Sequence, residues 1–210
     1  MRIAPMLSRL RRSALAATLI AAAAPVAHAQ APQGTPANVR GTIAKLDGLS
    51  LTVNAPDGTI AVVKLTPNFA VRTLVNKKLS DIQPGDFVGS TSVPGEDGKL
   101  HAVEVHFFPA NVPIPDQQYA WDLQPGSLMT NAHVTGVAKA PQGQLLSVDY
   151  KNGTAQVIVE PTTPIVAPGP GSLEDLKRGK AVFLFARKTA DGSYTANAVT
   201  VEKNGVKPPM

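Results

Sequence analysis

Residues 79–85, with the sequence LSDIQPG, return as residues 173–179, with the sequence LEDLKRG. Three further pairs of short segments keep nearly the same separation: VRGT at 39–42 with VTGV at 134–137, DG at 57–58 with NG at 152–153, and DG at 97–98 with DG at 191–192. The separation is 95 residues for the pairs that begin at 39 and 57, and 94 residues for those that begin at 79 and 97. So constant a separation predicts two copies of one folding unit.

Within each copy, apolar and polar residues alternate, which is typical of strands with one buried face. In the first copy, Leu51 and Val53 precede the turn at 57–58, where Gly tolerates the positive φ of a tight hairpin. Residues 79–84 and 172–177 each predict a single helical turn. Each copy contains six short strands. If they curl into a barrel, their apolar faces share one core and the exposed edges of the sheet are removed or shortened. The predicted fold is therefore all-β, with two tandem small OB-like six-stranded β-barrels and a short helical turn in each.

The first 29 residues have the pattern of a signal peptide. Four arginines precede an apolar run at 14–26, and the sequence AHA at 27–29 is a small-x-small cleavage site before Gln30. The apolar run is shorter than the roughly 20 residues that span a bilayer, and no later run approaches that length. We expect a periplasmic or secreted protein with no membrane span after the signal is removed. The pair Arg11-Arg12 leaves both Sec and twin-arginine export open.

The net charge and the lack of cysteine exclude several classes of function. The whole chain has 20 Lys and Arg against 15 Asp and Glu, a net charge of +5, but four of those arginines lie in the first 29 residues. The remainder carries 16 basic and 15 acidic residues, so its net charge is +1 and no nucleic-acid partner is expected. The chain has no cysteine, which excludes disulfides and thiolate chemistry.

The repeat and the composition give the expected organisation. The segments are a signal peptide (1–29), a flexible lead-in (30–38), a first barrel (39–109), a Pro/aromatic connector (110–132), a second barrel (133–203) and a tail (204–210).

The repeated motifs resemble a known family. Each copy opens on GTI (41–43) or GVA (136–138), contains the turn segment quoted above, and closes on DGKLHA (97–102) or DGSYTA (191–196). This pattern resembles exported bacterial proteins with tandem domain-of-unknown-function 5666 modules. The resemblance implies small β-barrel modules and assigns no functional residue. Similar proteins are sometimes labelled metal ABC transporter permease, which the absence of a long apolar run outside the leader contradicts.

The connector holds the only Trp of the chain, Trp121, together with Tyr119 and, close by, Met129. Aromatic side chains supply large contact areas, and Pro-rich segments are stiff. One interpretation is that Tyr119 and Trp121 seal the joint between the barrels. The other is that Tyr119, Trp121 and Met129 form a ligand or partner surface there.

The histidines suggest a second kind of site. Glu104 and His106 lie two residues apart on a strand, so they share a face. Their equivalents in the second copy belong to the less apolar set, so we expect both side chains to point outward and to be solvent-accessible. With His101, His133 and Met129 they could supply ligands for copper or zinc.

We find no catalytic motif, so no enzyme activity and no obligatory cofactor is expected. The leading hypothesis is a non-enzymatic binding or scaffolding module whose partner is an unknown envelope protein or polymer. The alternative is a periplasmic metal-binding accessory protein. A basic cluster in the second copy could favour anionic polymers: Lys177, Arg178, Lys180, Arg187 and Lys188.

Overall fold

The computed structural model describes residues 34–108 and 113–210. Residues 1–33, which include the predicted signal peptide, and residues 109–112 lie outside the described part. The prediction of an all-β protein is confirmed, because short 3-10 turns at Leu79–Asp81 and Leu173–Asp175 are the helical segments among the described residues. The strands are β1 (Thr35–Asp47), β2 (Ser50–Asn54), β3 (Ile60–Asn76), β4 (Phe87–Pro94), β5 (Leu100–Phe107), β6 (Gln117–Ala120), β7 (Leu128–Ala140), β8 (Gly143–Tyr150), β9 (Gly153–Val159), β10 (Ile165–Pro170), β11 (Ala181–Lys188) and β12 (Tyr194–Val201).

The strands close into two barrels. Barrel I has the order β12-β11-β1-β2-β3 and closes by parallel pairing of β3 with β12. Barrel II has the order β5-β4-β7-β8-β9 and closes by parallel pairing of β5 with β9. Strand β10 joins the barrels because it pairs with β3 on one side and with β5 on the other. Five strands closed in this way match the strand number of OB-type barrels.

The division of strands between the barrels differs from the expected one. We expected six strands per barrel, all from one copy, but each barrel has five strands and draws on both copies. Barrel I combines β1–β3 of the first copy with β11 and β12 of the second, and barrel II combines β7–β9 of the second copy with β4 and β5 of the first. Relative to the two predicted copies, the last two strands of each copy therefore lie in the barrel of the other.

The buried side chains confirm this exchange independently of the hydrogen bonds. One apolar cluster joins residues of β1, β2 and β3 to residues of β11 and β12, and the other joins β4 and β5 to β7, β8 and β9. The helical turns follow the exchanged strands. Ile82, after the first turn, is buried in barrel II, and Leu176, within the equivalent segment of the second copy, is buried in barrel I.

Segment boundaries also differ from the expected ones. Residues 35–38 belong to β1 rather than to a flexible lead-in, because they pair with Phe185–Lys188 of β11. The connector contains β6 and the first residues of β7, which pair with one another. The tail begins with a bridge between Lys203 and Val206.

The copies correspond less regularly than the sequence motifs suggest. Ile43 and Val134 each precede the irregularity in the first hairpin of their copy, and they pair with Val53 and Val148. Ile43 and Val134 are 91 residues apart, whereas Val53 and Val148 are 95 apart. The hairpin between β7 and β8 is thus four residues longer than the one between β1 and β2. The motifs VRGT and VTGV therefore do not occupy equivalent positions.

A candidate ligand pocket between the barrels

The outer face of barrel II presents two rows of side chains across four strands. In an antiparallel sheet, residues directly opposite one another share a face. The first row follows from the register of β5, β4, β7 and β6 as His106, Gly89, Asn131 and Gln117. The second row is Glu104, Thr91, Met129 and Tyr119. Both rows face away from the core of barrel II.

Glu104 and His106 do lie on this outer face, but the prediction that they are solvent-accessible is wrong. Glu104 is 0% exposed and His106 is 6% exposed. The Glu104 carboxyl group accepts hydrogen bonds from the Thr91 amide at 3.1 Å and from the Thr91 hydroxyl at 2.6 Å. It also contacts His106 Nδ1 through both oxygens, at 3.0 and 3.2 Å. The outer face of barrel II is covered here by other parts of the protein. Alternation within one strand shows which residues share a face, but it does not show whether that face is covered.

Gly89 makes room for the imidazole of His106. A Cβ atom added to Gly89 would overlap the Nε2 and Cε1 atoms of His106 and lie 2.9 Å from the ring of Phe108. The Phe108 ring meets the imidazole edge to face, at 4.8 Å between ring centroids. Gly89 therefore leaves room for the imidazole of His106, which fills the space above β4 together with the Phe108 ring.

We expect Gly89→Ala to destabilise the protein by about 1–3 kcal/mol, the usual effect of overpacking a filled site, and to displace the His106 ring. Gly136→Ala is the matched control on β7, because its Cβ would meet only Ser147, at 3.7 and 3.8 Å. Urea denaturation of the two variants measures the difference. Equal tolerance of both substitutions would mean that His106 does not lie across β4.

A cavity of about 330 Å³ lies beside the two rows. Its volume is at the lower end of the roughly 300–1,000 Å³ typical of small-molecule pockets. Barrel I lines it with Phe183, Phe185 and Thr200, and barrel II lines it with His106, Met129 and Asn131. Phe183 and Met129 are almost fully buried, at 1% and 2% exposed, whereas Phe185 is 61% exposed. The cavity thus has a buried, mainly apolar floor and an open aromatic edge.

The Asn131 side chain lies at this floor and is held by the segment before β6. Its side chain is 4% exposed, and its Nδ2 donates to the Pro115 carbonyl oxygen at 3.1 Å. A carbonyl oxygen requires a donor, so this contact fixes which side of the amide is the nitrogen. Asn131 Oδ1 is buried and has no hydrogen-bond partner among the described residues.

Tyr119 and Trp121 take different positions at the joint. Tyr119 lines the cavity, and burial raises the pKa of its hydroxyl above the usual value, while a hydrogen bond with the Asn131 side chain partly opposes this. Trp121 lies behind the cavity lining, edge to face with Tyr119 at 5.9 Å and 6.0 Å from Phe185. Of the two interpretations of the connector, sealing the joint describes Trp121, and lining a groove describes Tyr119 and Met129.

Arg40 of β1 holds the connector against barrel I. Its guanidinium lies 5.4 Å from the Trp121 ring centroid and 5.2 Å from that of Phe183, within the range of cation–π attraction. It also donates to Asp122 at 2.7 Å. Burial tends to raise the pKa of Asp122, but hydrogen bonds from Arg40 and Asn38 outweigh it and hold that pKa below its usual value.

The residues proposed as metal ligands are not brought together. His101 contacts Asp97 at 3.2 Å in the β4–β5 hairpin, and His133 is exposed and stacks on Phe87. The described residues contain no group of three His, Cys, Asp or Glu side chains that could hold a metal ion. Glu104 and His106 form a pair with Thr91 instead.

The basic cluster of the second copy is partly engaged in local contacts. Lys180 pairs with Glu202 at 3.5 Å, and Arg187 donates to the Gly34 carbonyl oxygen at 2.9 Å. Both contacts lie within barrel I. Two of the five cations therefore have partners inside the protein, and their presence does not require an external anionic polymer.

Fold and cavity together define a class of protein: an all-β protein of two closed barrels with a pocket at their joint. No protein-family model, no curated protein and no solved structure matches the chain. In the described part of the chain, no helical segment approaches the length and hydropathy of a membrane-spanning helix.

Asn131, Phe183, Phe185 and Arg40 are pocket or joint residues that sequence reasoning did not single out. The sequence did contain a pattern that marks the two aromatics. Phe183 and Phe185 flank the core residue Leu184 on a strand, so both point to the face opposite the core. Two large aromatics on the outer face of a barrel strand indicate a contact surface. Nothing comparable marks Asn131, because its importance depends on which strand lies beside it.

Proposed function

We propose that this chain is an exported, non-enzymatic binding protein that holds a small molecule in the pocket between its two barrels. The observation that carries the proposal is the cavity itself, which both barrels line with mainly apolar side chains, Phe183 and Met129 among them. A preformed apolar cavity with a few convergent polar groups is the usual form of a ligand site. The signal-peptide pattern at 1–29 and the resemblance to exported tandem-module proteins support a role in the cell envelope.

The position of the pocket fits a binding role. Its lining comes from both barrels, so a ligand would contact strands of both copies at once. Trp121 contacts Tyr119, Phe183 and Phe185, which all line the cavity. Because Trp121 is the only Trp of the chain, its fluorescence reports on that one place.

The test uses an apolar fluorescent probe, 1-anilinonaphthalene-8-sulfonate, excited by energy transfer from Trp121. We expect one site per chain and a loss of affinity of at least about tenfold in Ala198→Phe, because Ala198 lines the cavity and a Phe side chain would fill it. Ala138→Phe, at an exposed position on β7 outside the lining, is the matched control and should bind as the unchanged protein does. Equal binding by both variants would contradict the proposal.

A further inference from the structure

We infer that the pocket takes a small molecule with an apolar body and a carboxylate at one end, and that Arg72 binds this carboxylate. The inference rests on the proposed function and names the chemistry of its ligand. Three features carry it: the position of Arg72 on the cavity wall, its lack of an acidic partner among the described residues, and the apolar side chains beyond it.

Arg72 belongs to the same face of barrel I as the aromatic lining. Phe183 of β11 lies opposite Thr200 of β12, and Thr200 lies opposite Arg72 of β3. Residues opposite one another in neighbouring strands share a face of the sheet, and these three all line the cavity. Arg72 is exposed, whereas Phe183 is buried. The arginine therefore stands at the rim of the cavity, two strand spacings or about 10 Å from Phe183 at the backbone.

The charge of Arg72 is not neutralised within the described part of the chain. Among the described residues it takes part in no ion pair, and residues 1–33 and 109–112 contain no Asp or Glu that could supply one. No Asp or Glu stands among the described residues that line the cavity. Arg40, on the other side of Phe183 in the same row, differs because Asp122 holds it at 2.7 Å. Of the two arginines in this row, Arg72 is therefore the one left for a ligand.

The guanidinium selects the charged group of the ligand. Its planar fork of N–H donors matches the two oxygens of a carboxylate, and the single charge of a carboxylate balances that of one arginine. The hydroxyl of Thr200, directly opposite Arg72, can donate a further hydrogen bond to the same group. Glu104 contacts the lining residue His106 from behind and is 0% exposed, so it does not face the ligand. An amine would be repelled by Arg72, and an alcohol would leave most of the fork to water.

The apolar side chains determine which end of the ligand enters the cavity. Phe183 and Met129 are almost fully buried where they line it, and Phe108 and Tyr119 line it as well. A carboxylate against these side chains would lose its hydration without gaining a partner, which is costly. The charged end of the ligand therefore stays at Arg72, and the apolar end lies against the aromatic side chains, which favour a planar ring.

The experiment compares 4-phenylbutyrate, 4-phenylbutanol and 4-phenylbutylamine on the full mature chain, by calorimetry at neutral pH. The three molecules share a phenyl ring on a four-carbon chain and differ in the charge at its end. We expect the carboxylate to bind about tenfold more tightly than the alcohol, the usual effect of a charge-assisted hydrogen bond, and the amine to bind most weakly. Arg72→Gln should bring the carboxylate to the level of the alcohol. Lys64→Gln also removes one positive charge from an exposed position on β3, but outside the lining, so it should keep the preference.

The outcomes separate this inference from the proposal beneath it. Equal affinity of the carboxylate and the alcohol for the unchanged protein would overturn the ligand class and leave the pocket function standing, and that comparison needs no substitution. A preference that survives Arg72→Gln, or that Lys64→Gln removes as completely, would also overturn it. Failure of all three molecules and of the fluorescent probe to bind would overturn the proposed function itself.

Discussion

Neither half of the chain should fold as a monomer when the two copies are separated between residues 112 and 113. Each barrel takes three strands from one copy and two from the other, so a single copy holds parts of both barrels and the whole of neither. A half chain on its own would leave the open edges of β3 and β9 without their parallel partners β12 and β5. Open, unpaired edges of this kind are unstable or associate.

Circular dichroism and light scattering of the two fragments, 30–112 and 113–210, measure this. We expect each fragment alone to be unfolded, or to form a dimer in which a second copy supplies the missing strands. Mixing the fragments should restore a one-to-one complex with the spectrum of the intact protein. A folded, monomeric fragment 30–112 would contradict the exchange, because it would show that one copy closes its own barrel.

The strand exchange was beyond the reach of sequence patterns for a physical reason. The alternation in β5, for instance, requires its apolar face with Val105 and Phe107 to be covered, and the strands of either copy could cover it equally well. The barrel that a strand joins is decided by where the preceding part of the chain ends. β3 runs for 17 residues, long enough to pair with β2 and β12 in barrel I and then with β10 at the joint. The chain leaves β3 at the joint, so its next two strands enter the other barrel.

The local elements were easier to predict than their partners. Turns depend on a few adjacent residues, and Gly58, Gly98 and Gly192 have the positive φ that their hairpins require. The helical turn at 79–81 formed as expected, with the Lys78 amide donating to the Asp81 carboxylate. The burial of Glu104 was not predictable in the same way, because it depends on what covers the outer face of β5 rather than on β5 itself.

The pocket follows from a difference between the two copies. The register places Gly89 of β4 and Phe183 of β11 at corresponding positions, next to His106 and Thr200 on the last strands. Barrel II thus has a small residue on one strand and a large one on the next, and barrel I has the reverse. Residues of both faces line the cavity: His106 from barrel II, and Phe183 and Thr200 from barrel I. His106 lies at the edge of the cavity with a fixed partner in Glu104.

Glu104→Ala should be among the most destabilising single substitutions in the protein, at about 3–5 kcal/mol, the usual range for removing one partner of a buried pair. The substitution leaves the amide and hydroxyl of Thr91 and the Nδ1 atom of His106 without their acceptor, in a place where water does not replace it. It also leaves an empty volume beneath His106. Total stabilities are typically about 5–15 kcal/mol, so we expect the variant to lose a large share of its stability.

Urea denaturation at constant pH, with Glu96→Ala as the control, measures the effect. Glu96 is exposed in the hairpin between β4 and β5, so its removal should change the free energy of unfolding by less than about 0.5 kcal/mol. Glu104→Gln keeps the shape and one acceptor oxygen for Thr91, and we expect it to recover more than half of the loss. A Glu104→Ala variant as stable as Glu96→Ala would mean that the carboxyl group is hydrated. The His106 ring would then have no fixed orientation toward the pocket, because the contact between Nδ1 and Glu104 is what holds it across Gly89.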